Sequence, residues 1–354
     1  MNNQIFLQTV KRRLQENNLV YEELPLQNGY TVLCTQRGGR ILGPFDPDTG
    51  ESVWWMNSAL KDKEDFRAFL KSDDWNIGGD RLWVEPEMPL FVPDRTDFFN
   101  SYLVQPQIDP GNYTLKRTAA DVSMTQQVTA KTFQVDCSQK RFTVTRDIRQ
   151  AADPLRSHPN GRALSQGVMH CGLRQRVALT VIDQDTNVYL EPWILTQVNP
   201  KGRLLVPCIG AADFVDYYEP IPASMYRKCG TVLDVDVTGN HRFKLGFRAV
   251  QTMGRSGYFG RLSNGQSYLF VRFYGNNPSN TYCGDPFDRP DLYGCSLYLY
   301  NDSGNLGGFA EYENAGTTIS GDTGLRTASD DVTYHLYFGE LNAVQAISRK
   351  LLGV

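Results

Sequence analysis

Two glutamates in the segment FAEYENAG (residues 309–316) have the residue type and spacing for proton-transfer chemistry. Glu311 and Glu313 are two residues apart, so on a strand their side chains point to the same face, together with that of Phe309. Two carboxylates on one face repel each other unless cations, hydroxyls or water separate them. The pattern predicts that Glu311 and Glu313 lie either in a polar cleft or on an exposed acidic sheet edge.

A second polar segment, GGDRLWVEPE (residues 78–87), combines a glycine pair with a cation, an indole and two carboxylates. Gly78 and Gly79 allow backbone conformations that redirect a strand. Side chains of the odd-numbered residues are expected on one face, namely Arg81, Trp83, Glu85 and Glu87. An arginine can hold a carboxylate, a phosphate or vicinal hydroxyls, and an indole offers a flat apolar platform for a sugar ring. The alternative is structural, with an Arg81–Glu ion pair at the strand end and Trp83 in the core.

The elements that must position these residues are mainly strands. Short runs rich in Val, Thr, Tyr and Phe are bounded by turn sequences, and the predicted strands are GYTVLCTQ, KTFQVDC, RFTVTRDI, RQRVALTVID, TVLDVDV, RFKLGFRAV, QSYLFVRFY and CSLYLYN. Apolar stripes at helical spacing predict helices over residues 5–15, 61–72 and 340–353. We therefore predict an all-β fold, one large antiparallel β-sandwich of more than 15 strands over residues 30–338, in a single domain spanning 1–354, with short flanking helices.

The composition excludes several classes of function. The 354 residues are 41% hydrophobic and 21% charged, which is typical of a globular protein. A net charge of −3 without a Lys/Arg-rich block argues against nucleic-acid binding, and no apolar run is long enough to span a membrane. The N-terminal sequence lacks the features of a signal peptide, so we expect a cytoplasmic protein, or a periplasmic one if a signal peptide has been removed.

The cysteines are dispersed and lack the spacing of zinc ligands. They are Cys34, Cys137, Cys171, Cys208, Cys229, Cys283 and Cys295. This arrangement predicts reduced thiols, many of them buried, and no metal site.

Several segments follow one another in the order of a known family pattern. They are GGRI (38–41), WWMN (54–57), GGDRLWVEPE (78–87), EPWILTQVNPKGRLLVP (191–207), KLGF (244–247) and FAEYENAG (309–316). Together they resemble the galactose mutarotase-like superfamily, and specifically its aldose-1-epimerase-like branch with a GG-x-R-x-W-x-x-PE signature. The resemblance covers roughly residues 30 to 353, and its specific parts are GGDRLWVEPE and FAEYE. It implies a β-supersandwich whose concave face binds a sugar without a metal or organic cofactor.

The resemblance also implies an acid/base mechanism. In mutarotases a glutamate takes the proton of the anomeric hydroxyl and a histidine protonates the ring oxygen, so the ring opens and recloses. Glu311 and Glu313 match the glutamate. The histidine segment of the family corresponds here to DTNVYLEPWILTQ (185–197), which has Trp193 and no histidine. His170 and His241 are then the candidate acids.

The remaining site predictions concern the rim of the cleft. The expected substrate-binding residues are Arg40, Arg81, Trp83, Glu85, Glu87, Trp193, Lys244, Tyr282 and Asp285. The function predicted from these residues is carbohydrate binding, with aldose-1-epimerase-like catalysis as an extension. The alternatives are sugar binding without turnover, a polysaccharide lyase with Tyr282 as base beside Arg81, and a glycoside hydrolase with two suitably spaced carboxylates.

Overall fold

The strands of the molecule form two large sheets. The computed structural model describes residues 4–72, 74–133, 139–183 and 187–354. Within these ranges the strands are β1 Tyr21–Pro25, β2 Thr31–Thr35, β3 Ile41–Phe45, β4 Asp80–Glu85, β5 Thr114–Arg117, β6 Asp121–Lys131, β7 Gln139–Gln150, β8 Met169–Val181, β9 Tyr189–Val198, β10 Gly202–Pro207, β11 Val215–Asp216, β12 Tyr226–Cys229, β13 Val232–Val237, β14 Phe243–Arg248, β15 Arg255–Arg261, β16 Ser267–Tyr274, β17 Cys295–Asn301, β18 Ala310–Ala315, β19 Ile319–Ser320 and β20 Thr327–Gly339.

The helices are short, and four of the six described ones lie between strands in the sequence. The described residues form α1 Leu7–Glu16, α2 Lys63–Lys71, α3 Glu87–Phe91, α4 Phe98–Ser101, α5 Gly161–Leu164 and α6 Leu341–Leu352. The three predicted helices correspond to α1, α2 and α6, with ends that agree within two residues. None of the described helices is long and apolar enough to cross a membrane.

Each sheet has ten strands and every strand pairing is antiparallel. The first sheet has the order β1-β2-β3-β4-β9-β18-β17-β14-β11, with β19 paired to β9. The second has the order β12-β13-β10-β15-β16-β20-β8-β7-β6-β5. The predicted all-β antiparallel sandwich is therefore confirmed. Seven of the eight predicted strands coincide with β2, β7, β8, β13, β14, β16 and β17; of KTFQVDC, Lys131 ends β6 and residues 134–137 lie outside the described ranges.

Alternation along β4 separates the core from the outer face of the first sheet. Leu82 and Val84 are buried in the apolar core, while Asp80, of the same parity, contacts strands of the second sheet. Arg81 and Trp83 consequently point to the opposite, outer face. The glycine pair that precedes β4 is required by the backbone, because Gly78 and Gly79 have φ of +102° and +77°. A Cβ on either glycine would lie 2.5 Å from a backbone atom of a neighbouring segment.

A buried polar network crosses the core at Asp80. This carboxylate has no exposed surface, and it forms an ion pair with Arg146 of β7. It also accepts hydrogen bonds from the hydroxyls of Thr196 (2.6 Å) and Tyr334 (2.9 Å). Because these partners come from both sheets, the network joins the two layers beneath the outer face that carries Arg81 and Trp83.

The cysteines are reduced in the described part of the chain. Five of the six described cysteines are buried, and Cys229 is exposed. Cys137 lies outside the described residues. No group of three or more His, Cys, Asp or Glu residues among those described is arranged to hold a metal ion.

Candidate functional site

A cleft of about 460 Å³ opens on the outer face of the first sheet. Its floor is formed by side chains of β4, β9, β18, β17 and β14, which are adjacent in that order. Its walls come from residues 98–104 around α4 and from residues 302–309 between β17 and β18. The volume falls in the range of small-ligand sites, so one sugar-sized molecule can be enclosed.

Aromatic rings cover much of the cleft. The aromatic residues that line it are Trp75, Trp83, Phe98, Phe99, Tyr102, Trp193, Tyr218, Tyr300 and Phe309. Many of these rings contact one another; for example, the Trp83 centroid is 4.9 Å from that of Trp75 and 5.6 Å from that of Trp193. The contacts restrict the rings to fixed orientations and leave flat apolar surfaces next to the charged groups of the floor.

Arg81 and Glu311 form an ion pair in the floor. The guanidinium Nη1 of Arg81 lies 2.5 Å from Glu311 Oε1, but the N–H groups are not aligned for a hydrogen bond. Gln197 Nε2 donates a hydrogen bond to the same oxygen at 3.0 Å. The guanidinium carbon of Arg81 is also 4.5 Å from the Trp75 ring and 4.2 Å from the Trp83 ring. The structural interpretation of GGDRLWVEPE is therefore correct in part: Arg81 pairs with a glutamate and Trp83 is buried, but the partner is Glu311 of β18 and not a glutamate at the end of β4.

Lys244 and Glu87 form a second ion pair in the floor. Lys244 Nζ lies 3.0 Å from Glu87 Oε2 and 4.4 Å from the centroid of the Trp193 ring. The Tyr102 hydroxyl donates to the other carboxylate oxygen of Glu87 at 2.8 Å. Although burial opposes it, the carboxylates of Glu87 and Glu313 raise the pKa of Lys244, so this side chain is an ammonium at neutral pH.

Glu313 lies at the closed end of the cleft, where it has no solvent-exposed surface. Trp193 Nε1 donates to its Oε2 at 2.7 Å, and its Oε1 has no hydrogen-bond partner in the described structure. Burial raises the pKa of Glu313 to about 8, with contributions from Glu311 and Glu87, against the opposing effect of Lys244. Burial thus favours the protonated form of Glu313, and Oε1 is the oxygen left without a partner.

Seven of the residues predicted from the sequence come together in this cleft. They are Arg81, Trp83, Glu87, Trp193, Lys244, Glu311 and Glu313. Glu87 reaches the cleft from the first turn of α3, because β4 ends at Glu85. Pro86 follows the strand, so the odd-numbered pattern of β4 does not extend to Glu87, which nevertheless lines the cleft.

Glu85 lies behind the cleft and does not line it. It is buried beneath the start of α3, where its carboxylate accepts the backbone N–H of Glu87. Burial raises the pKa of Glu85 well above its ordinary value, and the neighbouring carboxylates of Glu87 and Glu191 raise it further, while Lys244 opposes the rise. Glu85 thus holds the turn from β4 into α3 rather than facing a ligand.

Arg40 also lies outside the cleft, where it supports the aromatic wall. Its guanidinium is fully buried, pairs with Asp109 at 2.6 Å, and donates to the carbonyl of Trp75 at 2.9 Å. Asp109 in turn accepts from Trp83 Nε1 at 2.8 Å. Arg40 therefore fixes Trp75 and Trp83 and does not contact the cleft itself.

Tyr282 and Asp285 hold a loop away from the cleft. The Tyr282 hydroxyl accepts the backbone N–H of Asn277 at 2.9 Å, and Asp285 pairs with Arg95 at 2.8 Å. Neither lines the cleft. The arrangement expected of a polysaccharide lyase, with Tyr282 beside Arg81, is thus absent from the described residues.

No histidine in the described ranges lines the cleft. His170 lies in the second sheet, where its Nε2 is 3.1 Å from Nδ1 of His335. His241 is exposed in the turn before β14, and its carbonyl accepts from Asn301. The candidate acids His170 and His241 therefore do not line the cleft, because His170 belongs to the second sheet and the exposed His241 side chain is not among the residues that line it.

The buried histidine pair predicts an acid-sensitive fold. Burial lowers the pKa of His170 to about 4 and that of His335 to about 3. Both pKa values lie below that of a histidine in the unfolded chain, about 6.5. The free energy of unfolding therefore has its full value above pH 6.5 and decreases as the pH falls toward 4. We expect thermal unfolding of His335→Gln to depend less on pH than that of the wild type between pH 6.5 and 4. His241→Gln is the control, and an equal acid dependence in all three proteins would contradict the prediction.

Some residues of the cleft carry no recognisable sequence signal. Arg242, Tyr218 and Asp302 line it, as do the rings of Phe98 and Phe99. The adjacent phenylalanines are an unusual pair for an exposed turn, and they are the one local signal that could have been used. The others become neighbours only when β14 and β17 pair.

A larger trough of about 1030 Å³ lies between β10, β15 and α6. It contains none of the residues predicted from the sequence, and its described aromatic side chains are Trp55 and Phe259. Lacking the carboxylate and aromatic arrangement of the cleft, it is the weaker candidate for the site despite its size.

Fold and cleft together define a two-sheet β-sandwich protein with an aromatic, carboxylate-bearing cleft on one outer face. A scan of protein-family models and a search of curated proteins find no match. Solved structures with similar folds include a 4-alpha-glucanotransferase from Thermococcus litoralis, at a TM-score of 0.35 and 9% identity over 89% of this chain and 39% of that one. A candidate aldose 1-epimerase from Klebsiella pneumoniae subsp. pneumoniae MGH 78578 has a TM-score of 0.41 and 12% identity over 92% of this chain and 80% of that one. Galactose 1-epimerase from Lactobacillus acidophilus NCFM has a TM-score of 0.41 and 8% identity over 91% of this chain and 95% of that one.

Proposed function

We propose that the protein binds a carbohydrate in the cleft on the first sheet. The observation that carries this proposal is the combination of flat aromatic surfaces with carboxylates and cations in one enclosed space of about 460 Å³. Aromatic rings accept the apolar C–H face of a sugar ring, while carboxylates and cations bind its hydroxyls. Trp83 and Trp193 supply the rings nearest to the ion pairs of Arg81 and Lys244.

We further propose that the cleft catalyses aldose-1-epimerase-like interconversion of a free sugar. Two carboxyl groups in different environments can divide the roles of acid and base. Glu311 accepts the proton of the anomeric hydroxyl, the C1–O5 bond breaks as the C1 carbonyl forms, and protonated Glu313 delivers its proton to O5. Closure of the ring on the other face of C1 returns both protons. Glu313 Oε1, which has no hydrogen-bond partner in the described structure, supports this assignment.

Binding without turnover is the second candidate, and the burial of Glu313 favours it. Glu313 has no exposed surface, so a ligand atom contacts it only when a neighbouring side chain moves. If that movement does not occur, the same cleft binds a sugar and leaves its anomers unchanged.

The experiment that separates these functions is NMR spectroscopy of free aldoses with and without the protein. Magnetisation exchange measures the rate of α/β interconversion, and saturation transfer measures binding. Faster interconversion at catalytic protein concentrations is the expected result. Saturation transfer without faster interconversion would leave binding alone, and the absence of both across neutral, acidic and phosphorylated sugars would refute the proposed function.

A further inference from the structure

Arg242 lies at the mouth of the cleft, immediately before β14 and two residues before Lys244. Its side chain is exposed, and its guanidinium carbon is 3.8 Å from the centroid of the Phe99 ring and 5.9 Å from that of Tyr218. Contact with these rings restrains the plane of the guanidinium. The N–H groups, which lie in that plane, remain free to donate.

Arg242 differs from the two other cations of the cleft because it has no acidic partner. Arg81 is paired with Glu311, and Lys244 with Glu87. Within the described ranges, no hydrogen bond or ion pair reaches the guanidinium of Arg242. Arg242 is therefore the one of these three cations without an ion-pair partner among the described residues.

The remaining carboxylate near the mouth is already occupied. Asp302 Oδ2 accepts the backbone N–H groups of Gly304 (3.0 Å), Leu306 (3.0 Å) and Gly308 (2.9 Å). These bonds hold the loop that forms one wall of the cleft. Asp302 thus shapes the wall, and the positive charge of Arg242 is left facing the ligand space.

We infer that the ligand is a carbohydrate with an anionic substituent, a phosphate or a carboxylate, that binds Arg242. This inference rests on the proposed function, because it takes the sugar ring to occupy the cleft. The planar guanidinium binds either anion through two parallel hydrogen bonds. Two residues of extended chain span about 7 Å, so the anionic group belongs to the part of the sugar that points away from Lys244 and the carboxylates of the floor.

The test is isothermal titration calorimetry with three matched groups of sugars: glucose, galactose and mannose, their 6-phosphates, and their uronates. The proteins are the wild type, Arg242→Gln, Arg242→Lys, and Arg162→Gln as a control that removes an exposed charge from α5. We expect the wild type to bind a 6-phosphate or a uronate about tenfold more tightly than the parent sugar, a difference typical of one charge-assisted contact. Arg242→Gln should reduce the ratio of anionic to neutral affinity to about one, whatever its effect on the affinity for the neutral sugar.

The outcomes distinguish this inference from the proposed function. The inference would be overturned if the wild type bound neutral and anionic sugars equally, or if Arg242→Gln kept the preference for anionic sugars. Binding of the neutral sugars would still support a carbohydrate site in either case. Absence of binding by all three groups would overturn both. If Arg242→Lys keeps part of the preference for anionic sugars and Arg162→Gln keeps all of it, the charge at position 242 causes the preference.

Discussion

Replacing Asp80 with alanine is expected to lower the free energy of unfolding by about 3–5 kcal/mol, because it leaves the charge of Arg146 buried without its partner. Neither side chain of the pair has any exposed surface. The hydroxyls of Thr196 and Tyr334 would lose their acceptor as well. Urea unfolding followed by circular dichroism measures the loss, provided that the slope with denaturant is unchanged.

The matched control is an aspartate–arginine pair on the surface of the second sheet. Asp331 and Arg174 form a two-bond ion pair with Nε–Oδ1 and Nη2–Oδ2 distances of 2.7 and 2.6 Å, and their side chains are 46% and 36% exposed. Because water solvates both groups, Asp331→Ala is expected to lower the free energy of unfolding by less than about 1 kcal/mol. Equal losses in the two variants would show that the Asp80 network does not depend on its burial.

Glu313→Gln is expected to slow anomer interconversion by about 10²-fold or more while sugar binding is retained, because the amide cannot deliver a proton to the ring oxygen. Wild-type turnover should also fall above pH 8, since the pKa of Glu313 is raised to about 8 and its acid form is depleted there. Exchange NMR across pH 6 to 10 measures both effects. Glu340→Gln, which changes an exposed glutamate at the start of α6, is the control and should retain the wild-type rate.

The same substitution has an effect on stability that does not require turnover. The pKa of Glu313 is higher in the folded protein than in the unfolded chain, where it is about 4.3. Its contribution to stability is therefore complete below pH 4.3 and is lost as the pH rises through about 8. We expect Glu313→Gln to become progressively more stable relative to the wild type between pH 5 and 9. A constant difference in Tm across this range would mean that Glu313 is not protonated in the folded protein.

The alternating patterns of the sequence were sufficient to predict the sandwich and the shared face of Glu311 and Glu313. Periodicity of two reports which side of a strand a residue occupies, and most of the predicted strands follow it. It does not report where a strand ends; that signal comes from Pro86, after which the chain enters α3 with Glu87 in its first turn.

Contacts between distant segments could not be predicted in the same way. Asp80 has the parity of the core residues Leu82 and Val84, and its burial is possible only because Arg146 approaches from the other sheet, 66 residues later in the chain. Arg242 became part of the site through the pairing of β14 with β17. A single sequence contains the residue types for such contacts but not the pairing of strands that creates them.

The strand order has a consequence for how the chain is made. β18 lies between β9 and β17 in the first sheet, and β20 lies between β16 and β8 in the second, so both layers have strands from the last 50 residues in their interior. Until those strands leave the ribosome, the earlier strands of each layer have unpaired edges, and Arg81 lacks the carboxylate of Glu311. The cleft therefore forms late in synthesis, and a nascent chain that stops before β18 has neither a continuous first layer nor a complete cleft.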